Sequence, residues 1–208
     1  MKRFDMRIIF GIVLVAAGAL FLLENLGILH GGINLLWVLI LGGAGTTFLY
    51  VFASNRNNWW ALIPGTTLLA ITLSIAIGIF APALANALGG GIILGGIGLS
   101  FWLIFLTNRH FWWAVIPAGV LSSLAIVSVL DIYINTGGLF LVGLGLTFIL
   151  LAILPGYENR LKWAYIPGGI LTLIGVLTLP WLSGFFNIIW PLALIGAGGY
   201  VIYKNFKN

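Results

Sequence analysis

Long apolar runs, separated by links of only a few residues, place the strongest constraint on how this chain can fold. The hydrocarbon core of a bilayer is about 30 Å thick and is crossed by about 20 apolar residues in a helix. On that criterion the sequence predicts eight transmembrane helices, at residues 7–23, 35–53, 59–80, 89–107, 111–130, 137–154, 163–179 and 188–203. The predicted fold class is therefore an all-α membrane protein in which consecutive helices form antiparallel hairpins.

Composition supports the same class. Hydrophobic residues make up 62% of the 208 residues and charged residues only 6%, with a mean hydropathy of +1.18. A soluble domain has roughly 25% charged residues. We therefore expect a single integral membrane domain over residues 1–208, with no soluble domain. The chain contains no cysteine, which excludes thiol catalysis and zinc–thiolate sites.

The basic residues predict the orientation of the helices. All nine lysines and arginines precede or begin the first predicted helix, follow the last one or lie in every second link: Lys2, Arg3, Arg7, Arg56, Arg109, Arg160, Lys162, Lys204 and Lys207. Basic residues flanking membrane helices favour the cytoplasm, so both termini are predicted to be cytoplasmic. The net charge of +5 does not indicate a nucleic-acid partner, because that function needs basic residues clustered on a soluble face.

A polar and aromatic signal recurs in three of these links. It reads NRNNWWALIPG at 55–65, NRHFWWAVIPA at 108–118 and NRLKWAYIPGG at 159–169. Arginine favours the cytoplasm and tryptophan the headgroup level. Proline either frees a carbonyl at the interface or lies at the helix start. The residues predicted to anchor the interface and set the helix start are Arg56, Trp59, Trp60, Pro64, Arg109, Trp112, Trp113, Pro117, Arg160, Trp163 and Pro167.

The even-numbered segments carry a glycine signature of their own. It reads GAGTTF from Gly43, GIGLSF from Gly96, GLGLTF from Gly143 and GAGGYV from Gly196. The pairs are not nucleotide loops, because no strand precedes them and no Lys-Ser/Thr follows. Small residues let helices approach closely in lipid, so we predict a helix-packing role for Gly43, Gly45, Gly91, Gly95, Gly96, Gly98, Gly143, Gly145, Gly196 and Gly198.

Together the two signatures predict four tandem helical hairpins, at residues about 1–56, 57–109, 110–160 and 161–208. The first hairpin lacks the tryptophan–proline element, but Gly11 and Gly18 have the seven-residue spacing of Gly168 and Gly175. Each unit has two spans, so all four share one orientation. Such parallel repeats differ from the inverted repeats of many secondary transporters.

Few residues are candidates for chemistry. Glu24 and Asp131 are predicted at the surface opposite the basic links, as solvated helix ends or in a pair with a partner or cation. His30 and His110 are predicted on opposite sides and cannot share a metal. The hydroxyls at 46, 47, 66, 67, 100, 122, 123, 147 and 172 are expected to bond carbonyls of their own helix. The sequence thus predicts no catalytic, cofactor or metal site.

Three functions compete on these observations. The favoured one is a non-enzymatic membrane scaffold or accessory protein, packing against itself or a membrane partner. A channel or transporter for a small neutral or apolar solute is the alternative, because it needs no buried charge. A lipid-modifying enzyme would require Glu24, Asp131 and His30 to converge in one pocket.

Two stretches of the sequence resemble a known family. The glycine-spaced first helix, the exit Leu23-x-Asn25-Leu26-Gly27 and a helix that opens with Trp37 or Trp190-Pro191 make up the pattern, over about 75 residues at the two ends. It resembles the membrane region of LiaI/LiaF-type bacterial envelope-stress proteins. The resemblance implies a protein of the bacterial cytoplasmic membrane and supplies no catalytic residues.

Overall fold

The computed structural model describes residues 6–27, 31–131, 136–155 and 161–207, and in these residues the regular structure is helical throughout. Eight α-helices follow one another along them: α1 Met6–Asn25, α2 Gly32–Ser54, α3 Leu62–Phe80, α4 Pro82–Thr107, α5 Val115–Leu130, α6 Gly137–Ala152, α7 Tyr165–Leu177 and α8 Pro180–Lys207. Three 3-10 turns, Trp59–Ala61, Trp112–Ala114 and Lys162–Ala164, directly precede α3, α5 and α7.

Four of the helical stretches are long and apolar enough to cross a membrane. By length and composition these are Gly32–Ser54, Trp59–Phe80, Pro82–Thr107 and Trp112–Leu130, the second and fourth including their 3-10 turns. Two further apolar helices, Gly137–Ala152 and Lys162–Leu177, are shorter. The described helices therefore fit a membrane protein, and the count of eight spans stays a prediction.

Two helices begin earlier than their hydropathy indicates. The apolar windows place the fourth segment at 89 and the eighth at 188, whereas α4 begins at Pro82 and α8 at Pro180. Proline is favoured at the first helical position, because its missing N–H would have no acceptor there. Polar residues interrupt the apolar run inside each helix, Asn86 in α4 and Asn187 in α8, so an apolar segment read from the sequence begins only after them.

The chain divides into two compact units, Met1–Ser100 and Phe101–Asn208. In the first unit, α2 and α3 pack most extensively, and α1 contacts α2 only lightly. In the second unit, α6 and α7 pack most extensively, and α5 also packs on α6. The last helix, α8, contacts α7 lightly, and its residues 191–200 are all exposed.

Candidate functional site

The Asn-Arg signal forms the same turn in the two links that the structure describes. The Asn55 side-chain oxygen accepts a hydrogen bond from the Asn57 N–H at 3.0 Å. The Asn108 oxygen accepts one from the His110 N–H at 2.9 Å. An asparagine side chain bonding the backbone two residues on is an Asx turn. The asparagine therefore shapes the link, a role that the sequence analysis missed although the Asn-Arg pair repeats.

The arginine after each of these asparagines lies over a phenylalanine ring. The Arg56 guanidinium is 4.7 Å from the centroid of Phe52, and Arg109 is 4.6 Å from that of Phe105. Each phenylalanine lies in the last turn of an even helix and its arginine in the link just after it, so the turn folds the cation back over the ring. Arg160, the third predicted anchor of this kind, lies outside the described residues.

One tryptophan of each link meets the phenylalanine that closes the preceding glycine signature. All three ring pairs are edge-to-face, with centroids 6.0 to 6.2 Å apart: Phe48 with Trp60, Phe101 with Trp113 and Phe148 with Trp163. Edge-to-face contact suits the positive edge and negative face of aromatic rings. Each of these tryptophans therefore ties an even helix to the next odd helix, while their predicted role as interface anchors stays a prediction.

Each repeated proline lies in the first turn of an odd helix. Pro64, Pro117 and Pro167 are the third residues of α3, α5 and α7. The first four N–H groups of a helix have no intrahelical acceptor, so proline loses no bond there. This placement favours the alternative in which the helix starts near the proline, with the tryptophan segment as a separate 3-10 turn before it.

The second glycine of the signature lies against the following odd helix. A Cβ added to Gly145 would lie 2.8 Å from the Gly168 carbonyl oxygen, and one added to Gly168 would lie 3.2 Å from that of Gly145. Seven residues away on each helix, a Cβ on Gly138 would lie 2.7 Å from the Gly175 oxygen. The backbones of α6 and α7 therefore approach closely at two points. Gly45 of α2 meets Gly65 of α3 in the same way.

The first glycine of the signature lies against the preceding odd helix. A Cβ on Gly143 would overlap Ser123 of α5, and one on Gly96 would overlap Ala70 of α3. Residues two apart on a helix point about 200° apart, so one Gly-x-Gly pair gives a small surface to each of two neighbours. In α6 both surfaces are in use.

The predicted packing glycines are not all in contact with another helix. Gly43, Gly196 and Gly198 have open space where a side chain would lie. Gly91 and Gly98 are buried, and Gly95 is half-buried. The open positions belong to α2, which contacts α1 only lightly, and to α8, which contacts α7 only lightly.

Most hydroxyls bond a carbonyl of their own helix, as predicted. Six threonines or serines of the predicted set donate to the residue four earlier, at 2.7 to 2.9 Å: Thr46, Thr47, Thr66, Ser123, Thr147 and Thr172. Ser100 bonds three residues back, at 2.6 Å. Ser122 differs, because it accepts the Trp102 indole N–H at 3.1 Å and so joins α4 to α5.

The two acidic candidates each reach the start of the next helix. A Glu24 carboxylate oxygen accepts the Ile33 N–H at 2.7 Å. An Asp131 oxygen accepts the Thr136 hydroxyl at 2.6 Å, immediately before α6. Side-chain oxygens at such positions satisfy donors at helix starts. This local bonding indicates a role in the return between helices.

The described residues do not bring a set of metal-binding or catalytic groups together. No three His, Cys, Asp or Glu side chains form a group in the described ranges. Glu24 and Asp131 belong to different units, and His30 lies outside the described residues. The convergence that a lipid-modifying enzyme would need is thus not among the described contacts.

The helices, glycine contacts and basic links define a helical protein of membrane type whose described geometry is dominated by helix packing. Comparisons of the chain with family models, with curated proteins and with solved structures returned no match.

Proposed function

We propose that this chain is a non-enzymatic, eight-span membrane scaffold or accessory protein that packs against a second copy of itself or a membrane partner. In this proposal the spans form four parallel hairpins, with both termini on the cytoplasmic side of a bacterial inner membrane. The resemblance to LiaI/LiaF-type proteins favours a place among envelope-stress functions.

One observation carries the proposal. The Gly-x-Gly pair of α6 is closed on both sides by neighbouring helices, whereas Gly196 and Gly198 of α8 have open space. Residues 191–200 around them are exposed and mostly apolar. In lipid, association depends on close packing at small residues. The open pair in α8 is therefore the surface through which this packing would extend beyond the chain.

The same contacts favour a scaffold over a channel. A solute path would need the glycines and hydroxyls on one continuous lining face. In α6, Gly143 and Gly145 point to different neighbours, and Thr147 bonds the carbonyl of Gly143 at 2.8 Å. These small and polar groups are used in contacts within and between helices, so few of them are left to line a solute path.

Crosslinking tests the packing proposal directly, because the chain has no cysteine to remove. Gly198→Cys places one thiol on the open face of α8. Leu146→Cys is the matched control on α6, where Leu146 is 54% exposed. With a short thiol crosslinker in native membranes, we expect Gly198→Cys to join a second copy or a membrane protein and Leu146→Cys not to. Equal crosslinking of both, or of neither, would contradict the proposal.

Thiol labelling tests the topology in the same cysteine-free background. Cysteines replacing Asn57 and His110, in two basic links, should be shielded from a membrane-impermeant maleimide in intact cells. Cysteines replacing Gly31 and Ala81, in opposite links, should react. If the two cysteines in the basic links differed in their reaction with the maleimide, or the two in the opposite links did, the eight-span order would be overturned.

A further inference from the structure

A cavity lies at the basic end of the unit formed by residues 101–208. Its volume is about 260 Å³, and Phe105, Arg109, Leu154 and Pro155 line it. Phe105 and Leu154 are only 4% and 8% exposed, so two of its walls are buried and apolar. Arg109 also lines the cavity and is exposed, so it adds a solvent-accessible positive charge. The cavity is thus lined by one positively charged side chain and by apolar side chains.

The link holds the Arg109 guanidinium in place. The Asn108 side chain fixes the turn through the His110 N–H at 2.9 Å, and the guanidinium lies 4.6 Å from the centroid of Phe105. Within residues 6–27, 31–131, 136–155 and 161–207, no hydrogen bond or ion pair joins this guanidinium to another residue. Its five N–H donors form a planar fork that matches a phosphate.

Two tryptophans that closely follow Arg109 in the sequence indicate which anion it meets. Trp112 and Trp113 follow Arg109 within four residues, and tryptophan prefers the headgroup level of a bilayer. At that level the abundant anion is lipid phosphate, and basic pockets between membrane helices bind such headgroups. The volume is below the roughly 300 Å³ of a pocket that encloses a small molecule. It suits a headgroup whose acyl chains stay in the bilayer.

We propose that this cavity binds the headgroup of an anionic phospholipid. The Arg109 guanidinium bonds the phosphate, and Phe105, Leu154 and Pro155 contact the glycerol and the first methylenes. The site is separate from the packing surface of α8, so it adds a specific lipid ligand to the proposed scaffold.

Native mass spectrometry of the full chain in mild detergent tests the site. Phosphatidylglycerol is the anionic probe and phosphatidylcholine of the same acyl chains is the zwitterionic control. Both lipids carry the phosphate, but the choline ammonium of phosphatidylcholine adds a second positive charge near Arg109. Because like charges repel, we expect the first phosphatidylglycerol to bind about tenfold more tightly than phosphatidylcholine.

The repeat supplies a matched control variant. Arg56 has the same stacking on Phe52, at 4.7 Å, but is not among the residues that line the cavity, so Arg56→Gln removes an equivalent charge and ring contact. We expect Arg109→Gln to weaken the first phosphatidylglycerol about tenfold and Arg56→Gln to weaken it less than about twofold. Leu154→Phe, which fills the cavity without changing charge, should also weaken it.

Three outcomes would overturn the proposal. Equal effects of Arg109→Gln and Arg56→Gln would mean that surface charge alone attracts the lipid. Unchanged binding in both Arg109→Gln and Leu154→Phe would place the lipid elsewhere. Displacement of phosphatidylglycerol by inorganic phosphate, with phosphate itself retained on the wild-type chain, would assign the cavity to a free anion.

Discussion

Helices α6 and α8 carry the same glycine signature in opposite surroundings. In α6, Gly143 lies against Ser123 and Gly145 against Gly168, so close that an added Cβ would overlap its neighbour. In α8, Gly196 and Gly198 have nothing within 4 Å. The motif alone therefore does not produce a close contact. A contact forms where the neighbouring helix also offers small residues at the matching height.

Helix α7 shows what the matching surface needs. Its Gly168 and Gly175 are seven residues apart, as are Gly138 and Gly145 on α6, so the two antiparallel helices meet at both points. The signature of α6 also ends in Phe148, which packs on Trp163. The signature of α8 ends in Val201. An aromatic closing residue is a second difference between a packed and an open helix.

The largest difference in the free energy of unfolding should come from replacing one signature glycine of α6 or of α8 by alanine, which adds one methyl group. Gly145→Ala would place its Cβ 2.5 Å from the Thr172 nitrogen, a backbone atom that cannot move aside easily. We expect a loss of about 3 kcal/mol in the free energy of unfolding. Gly198→Ala should instead be neutral or gain about 0.5 kcal/mol, since alanine favours a helix. Thermal unfolding in detergent, followed by tryptophan fluorescence, checks both. An equal loss of unfolding free energy in Gly145→Ala and Gly198→Ala would mean that α6 and α8 do not differ in packing at these glycines.

A smaller effect should come from the ring pair of α6. In a double-mutant cycle of Phe148→Leu and Trp163→Leu, we expect a coupling energy of about 1 kcal/mol from the edge-to-face contact. The cycle of Phe48→Leu with Trp60→Leu should give a similar value, because its geometry is nearly the same. No coupling in either cycle would mean that the rings are only neighbours.

Removing the two acidic side chains that bond near helix starts, Asp131 and Glu24, should have different effects on the free energy of unfolding. Asp131→Ala removes the acceptor for Thr136 just before α6, and we expect a loss of about 1 kcal/mol. Glu24→Ala frees the Ile33 N–H near α1, which contacts α2 only lightly. There the change should appear as faster hydrogen exchange at the start of α2, with little change in the unfolding midpoint. A large midpoint shift for Glu24→Ala would mean that α1 is as firmly packed as α6.

The smallest effects should come from the arginine stacks. Arg56→Gln and Arg109→Gln each remove an exposed cation–π contact, and we expect about 0.5 kcal/mol for either. The measurement is the unfolding midpoint in detergent without added lipid. If Arg109→Gln alone were strongly destabilising, its role would be structural rather than in ligand binding.

Much of the helical order could be predicted from the sequence, because apolar runs and basic links are local patterns. The start of α4 at Pro82 could not, since Asn86 interrupts the apolar run and a proline more often indicates a break between helices. The packing glycines were predicted as a class, yet Gly145 and Gly198 differ only in what lies opposite. That depends on a second helix, which no local pattern contains. The Phe–Trp pairs were missed for the same reason.

The most direct test of the account is the assembly state of the full chain extracted with its own membrane in native nanodiscs. We predict that the wild-type chain is recovered with a second copy or a membrane-protein partner. Gly198→Leu should be recovered as a lone monomer with an unchanged unfolding midpoint, because open space surrounds that glycine. A wild-type chain recovered alone, or a partner that Gly198→Leu still retains, would contradict packing through α8.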